Sequence, residues 1–138
     1  MSEFWSSSKE VSTAVLGMLE KSFENPEIRE KGEALNVLLA FNYEDPDVTV
    51  WIDARGGKLF YSSGAPPEEP DVQMTLSSDN AHRVWSNKLN VMVSIAKKKI
   101  SIKGSATKIL KLAPLLRIFS GNYNEKLKEM GKESIILD

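Results

Sequence analysis

Residues 35–62 read LNVLLAFNYEDPDVTVWIDARGGKLFYS, and apolar residues recur there at every second position. Leu35, Val37, Leu39, Phe41 and Tyr43 fall on one face of an extended chain, with Asn36, Leu38, Ala40 and Asn42 on the other. Asp45-Pro46-Asp47 is turn chemistry, after which Val48, Val50 and Ile52 alternate with Thr49, Trp51 and Asp53. Arg55-Gly56-Gly57 supplies a second tight turn, and Leu59 to Ser62 returns as a third strand. Three strands joined by short turns make an antiparallel meander.

On the amino-terminal side, Ser7 and Glu10 have capping-box spacing, and Val11, Val15, Met18, Leu19 and Phe23 recur as one helical stripe. Pro26 opens a short second helix that Gly32 is expected to close. On the other side, Ala65-Pro66-Pro67-Glu68-Glu69-Pro70 is too poor in backbone donors to extend a sheet and reads as a stiff crossing. Val72, Met74 and Leu76 alternate as a fourth strand. Ser78 is expected to cap a helix carrying Ala81, Val84, Trp85 and Leu89, and Asn90 a shorter one, Val91 to Ala96. Lys99 to Lys103 alternates again as a fifth strand ended by Gly104.

Ser105 to Ser120 differs from every other segment. Ile109, Leu110, Leu112, Ala113, Leu115, Leu116, Ile118 and Phe119 leave hardly any polar face on this predicted helix, which Pro114 should kink or break. A surface helix needs an apolar stripe only slightly wider than about 100°, so a second face here must meet something besides the core. Asn124 to Met130 reads as a last short helix.

The resulting order is helix, meander, proline-rich crossing, strand, helix, short helix, strand and apolar helix. It resembles the sterol carrier protein type 2 family, an α+β fold with a five-stranded, mostly antiparallel sheet covered by helices. Pro70-Asp71-Val72-Gln73-Met74-Thr75-Leu76-Ser77 is similar to the family's fourth strand, and Ile100-Ser101-Ile102-Lys103-Gly104 to its basic strand ending in glycine. Trp85-Ser86-Asn87-Lys88-Leu89-Asn90 and Lys111-Leu112-Ala113-Pro114-Leu115-Leu116 also fit, whereas Val91 to Ala96 departs from the Pro and Phe common there. The resemblance implies a lipid ligand (fatty acid, acyl-CoA, sterol or phospholipid) in an apolar tunnel, with neither cofactor nor metal and without catalysis.

Composition agrees with that frame. A chain of 138 residues, 41% hydrophobic and 27% charged with net charge −1, suits one globular domain, 1–138, and gives no argument for nucleic acid. Cysteine is absent, which removes disulfides and thiolate chemistry. The single histidine, His82, is read as a solvated side chain, with no second imidazole for a zinc set. Asp45 with Asp47 and Glu68 with Glu69 sit in turn and crossing contexts that solubility explains. There is no secretory pattern at the amino terminus, no run long enough to span a membrane and no peroxisomal address at Ile136-Leu137-Asp138, so the cytoplasm is expected.

The residues expected to line the apolar pocket are Leu112, Leu115, Leu116 and Phe119, joined by Trp51, Met74, Trp85, Met92 and Ile95. Lys97, Lys98, Lys99, Lys103, Lys108 and Lys111 crowd into 15 residues. Two uses compete for them: lysines guard strand edges against aggregation, or they meet an anionic headgroup or membrane, for which Lys97, Lys98, Lys99, Lys108 and Lys111 are the candidates. The rival to a lipid carrier is an interaction module, in which the same apolar helix is buried against a second copy, as a homodimer, or against a lipid-metabolising enzyme.

Overall fold

The structure is a computed structural model and describes residues 2–137. Helix α1 spans Ser8–Ser22 and buries Val11, Ala14, Val15, Met18 and Leu19. The Ser7 hydroxyl accepts from the Glu10 amide at 3.2 Å, and the Glu10 carboxylate accepts in return from the Ser6 amide at 2.7 Å. The cap is reciprocal, one residue further out than the simplest box.

Helix α2 (Pro26–Leu35) starts on the Asn25 cap and runs through Gly32 rather than stopping there. Gly32 is buried beside Leu59, and the helix ends only where Asn36 turns left-handed at φ 48°. Strand β1 therefore begins at Leu38 and runs to Glu44; β2 is Val48–Asp53 and β3 Phe60–Ser63. Strand β4 (Val72–Ser77) pairs parallel with β1, and β5 (Ser101–Lys103) pairs antiparallel with β4. The order β3-β2-β1-β4-β5 is thus a mostly antiparallel sheet with one parallel pair, the meander and crossover expected from sequence.

The helix-side face presents Leu39, Phe41, Tyr43, Val50, Ile52, Val72, Met74 and Leu76, all buried. Residues directly opposite share a face, so the Ala40↔Trp51 and Trp51↔Ser62 pairs put Trp51 on the other side. Residues 64–70 cross over that outer face, where they border a polar depression with Asn42, Thr49 and Gln73.

Helix α3 spans Ser78–Trp85, α4 Val91–Ala96 and α5 Ala106–Leu110. The α3 cap is Ser77, whose hydroxyl accepts from the Asn80 amide at 3.0 Å; Ser78 instead donates to the Pro46 carbonyl at 2.7 Å. Asn90 caps α4 through the Val93 amide, as expected. The apolar segment does not form one kinked helix: it stops at Leu110, tightens into a 3-10 turn at Ala113–Leu115 around Pro114, and restarts as α6, Leu116–Glu129. Helix α6 absorbs the short helix expected at 124–130, because Phe119, Tyr123 and Leu127 recur every four residues and are buried. Lys21 of α1 is ion-paired with Glu125 and Glu129 of α6. No helix among the described residues is long and apolar enough to cross a membrane.

Candidate functional site

Between the sheet and the helices lies a cavity of about 50 Å³. Its floor is Phe41 and Tyr43 of β1 with Met74 and Leu76 of β4, which the parallel register sets side by side as Phe41↔Met74 and Tyr43↔Leu76. One wall is Ala81, Val84 and Trp85 of α3, with Val91 of α4. The opposite wall is Ile109, Leu110, Leu112 and Ala113, closed by Leu116 and Phe119 of α6.

Trp85 is the hinge of this arrangement. Its ring meets Phe41 and Phe119 edge-on, each at 5.7 Å between centroids. Such pairs add about 0.5–1.5 kcal/mol beyond their buried area. Its indole N–H donates to the Tyr43 hydroxyl at 3.0 Å. Burial holds the Tyr43 hydroxyl far above the usual phenol range, so it remains neutral. The indole N–H is thus satisfied within the aromatic cluster, and the other lining side chains offer dispersion contacts.

Of the residues expected in a pocket, Met74, Trp85, Leu112, Leu116 and Phe119 line the cavity. Leu115 is 2% exposed but turns into the core beside it, and Ile95 packs half-buried against that core. Met92 is 63% exposed. Trp51 lies across the sheet, since the pleat that aims Val50 and Ile52 at the helices aims Trp51 away. Sequence reasoning left out Phe41, Tyr43, Leu76 and Val84, although their spacing with Met74 and Trp85 carried the same signal as the residues chosen.

Lys97, Lys98, Lys99 and Lys111 are exposed. Lys108 is half-buried and donates to the Leu35 carbonyl at 3.2 Å, so it caps the end of α2.

His82 is not solvated as its polar surroundings in sequence suggest. It is 1% exposed, between the rings of Phe4 and Trp5. Its Nε2 lies 2.8 Å from the Ile135 carbonyl, which can only accept, so Nε2 bears the proton and Nδ1 accepts from the Tyr123 hydroxyl at 2.7 Å. Burial lowers its pKa from the ordinary imidazole value. With both nitrogens occupied, His82 ties α3 to α6 and to the tail. Among the described residues no group of three or more His, Asp or Glu is placed to hold a metal ion.

The fold is shared with solved proteins. The sterol carrier protein domain 2 of Helicoverpa armigera is similar at 25% identity and a TM-score of 0.61, covering 85% of this chain and 96% of that one. Sterol carrier protein 2 of Yarrowia lipolytica, in its apo form, is similar in fold at 19% identity and a TM-score of 0.60, over 90% of this chain and 97% of that one. In sequence, 87 residues (61% of the chain) are 28% identical to hydroxysteroid dehydrogenase-like protein 2 of Bos taurus, a match covering 20% of that protein's length. A profile of the SCP-2 sterol transfer family matches residues 17–117, across the sheet, the crossing and both cavity walls. The chain belongs to the SCP-2 sterol transfer family.

Proposed function

We propose that the chain, acting as a single domain, reversibly binds and transfers a fatty acyl, sterol-like or other lipid ligand in this cavity, without catalysing a reaction. The observation that carries the reading is the apolar and aromatic lining, in which the Trp85 indole N–H is satisfied by the Tyr43 hydroxyl. The family membership supports the same class of ligand. The buried His82 lacks a free nitrogen with which to act as a base.

The cavity is small for such a ligand. Its 50 Å³ falls short of the roughly 150 Å³ that admits benzene and of the ~300–1,000 Å³ of a drug-sized pocket. A lipid must therefore part the wall. The segment 106–115 is suited to give way: its only buried side chains are Ile109 and Leu115, and Pro114 interrupts its hydrogen bonding. Burying an acyl chain yields about 0.8 kcal/mol per methylene, so ~14 carbons contribute roughly 11 kcal/mol before association costs. With association alone costing about 4 kcal/mol or more, the net is about −7 kcal/mol at best, an affinity near ten micromolar before any cost of opening.

Titration of the delipidated chain with a fluorescent fatty acid tests the proposal, together with native mass spectrometry of the freshly purified protein. Saturable one-to-one uptake at micromolar concentration is expected. No uptake up to tens of micromolar, with the chain a tight dimer, would favour burial of the apolar helix against a second copy instead.

A further inference from the structure

Tyr43 lies on the cavity floor, 3% exposed, beside the indole of Trp85 in the wall. A phenol both donates one hydrogen bond and accepts others. The accepting side is in use, since the oxygen takes the Trp85 Nε1–H at 3.0 Å. The donating side is not. Among the described residues no acceptor lies within hydrogen-bond reach of the Tyr43 O–H. The Tyr123 hydroxyl is near enough to be felt electrostatically, but it is committed to Nδ1 of His82 at 2.7 Å, and no hydrogen bond joins the two phenols. One buried donor is left over.

Burial keeps that hydroxyl un-ionised, so the proton is there to give at any ordinary pH. A buried donor without a partner is costly in a folded protein, which makes the Tyr43 O–H a feature in need of an explanation. The other lining side chains narrow what could take the proton. Only the Met74 sulfur among them is an acceptor, a weak one, and it forms no hydrogen bond with Tyr43. No charged residue lines the cavity. An ionised carboxylate brought in head-first would therefore exchange its hydration for a single hydrogen bond, a large net loss. A neutral oxygen loses far less on burial, and one donor satisfies it.

We infer that the Tyr43 O–H is a ligand-binding donor, and that the cavity favours a lipid whose buried end bears a neutral acceptor oxygen (an alcohol, a ketone or an ester carbonyl) over one that ends in plain hydrocarbon. The inference rests on the lipid-carrier reading above and names the chemistry of the ligand's buried end. Trp85 is the positioning residue, because its N–H holds the phenol oxygen while the O–H stays free to turn toward the ligand.

The probe is a medium-chain fatty acid carrying a carbon-13 ketone beside its terminal methyl, compared with the parent acid. Entering methyl end first, it keeps its carboxylate in water and brings the ketone to the floor. Isotope-edited infrared spectroscopy of its complex with the delipidated full chain should show the ketone band at the lowered frequency of a hydrogen-bonded carbonyl. Trp85→Phe retains the Tyr43 O–H and should retain the lowered band. Adding Tyr43→Phe to that variant should move the band to the frequency of a ketone in hydrocarbon. Between the same two variants the affinity ratio of ketone to parent acid should fall about tenfold. The ratio cancels changes in shape or stability that both ligands meet alike. A hydrocarbon-like band in the wild type, a lowered band that survives Tyr43→Phe, or an unchanged affinity ratio would overturn the inference. The wild-type spectrum decides this even where a variant fails to fold. If the parent acid is taken up while the ketone band stays at the hydrocarbon frequency, only the inference fails. Uptake of neither acid would overturn the carrier reading, and the inference with it.

Discussion

The Tyr123 hydroxyl donates to Nδ1 of His82 at 2.7 Å, joining α6 to α3 beneath the rings of Phe4 and Trp5. Because Nε2–H is committed to Ile135, this interior contact holds only while the imidazole is neutral.

Stability should therefore depend on pH. Burial lowers the folded-state pKa of His82 below the unfolded value of about 6.5. On acidification the unfolded chain takes up the proton first, so the contribution is complete above about pH 6.5 and is lost as pH falls through the folded pKa. Urea unfolding at successive pH values between about 7.5 and 5 should show ΔG falling by up to about 1.4 kcal/mol per pH unit in that window. His82→Gln should be less stable at neutral pH by about 1–3 kcal/mol, with much of the slope removed.

The cavity rim permits a plug that spares the core. Ala113 is exposed yet borders the cavity, so Ala113→Trp can cover the opening without overpacking the interior. Stability should stay within about 1 kcal/mol of the parent, while fluorescent fatty acid affinity falls at least tenfold. Unchanged affinity would place the ligand elsewhere.

The wall that must part should open more readily than the rest. Amides of residues 106–115, held by Ile109 and Leu115 alone, should exchange with solvent well before those of α1 and β1. A saturating fatty acid should slow them selectively. Hydrogen exchange followed by mass spectrometry reads both effects.

Much of the sheet was legible because period-two alternation fixes which face meets the helices. Phe41, Met74 and Leu76 could be assigned from that pattern alone, and it also set Trp51 apart from Val50 and Ile52. What escaped was non-local. His82 reads as polar and solvated until Tyr123 and Ile135, 41 and 53 residues away, are folded against it. Ser77 and Ser78 offer the same capping chemistry, and the choice falls to Ser77 because Ser78 is drawn to the Pro46 carbonyl. Asn124 to Met130 reads as a separate short helix, but α6 runs through Gly121 because burying Tyr123 and Leu127 offsets the cost of a helical glycine, about 1 kcal/mol. The over-apolar segment stands out by its composition. That it divides into α5, a 3-10 turn and α6 follows from Pro114, whose effect sequence alone leaves between a kink and a break.

Two indoles on opposite faces of one sheet offer the most direct measurement. Trp85 borders the cavity, and its N–H is bonded to Tyr43, whereas Trp51 faces the crossing side. In a nitrogen–proton NMR titration of the delipidated chain with a medium-chain fatty acid, the Trp85 indole resonance should move and saturate at one equivalent while that of Trp51 stays in place. A stationary Trp85 resonance at saturating lipid, or a shift confined to Trp51, would contradict a ligand lodged between the sheet and the helices.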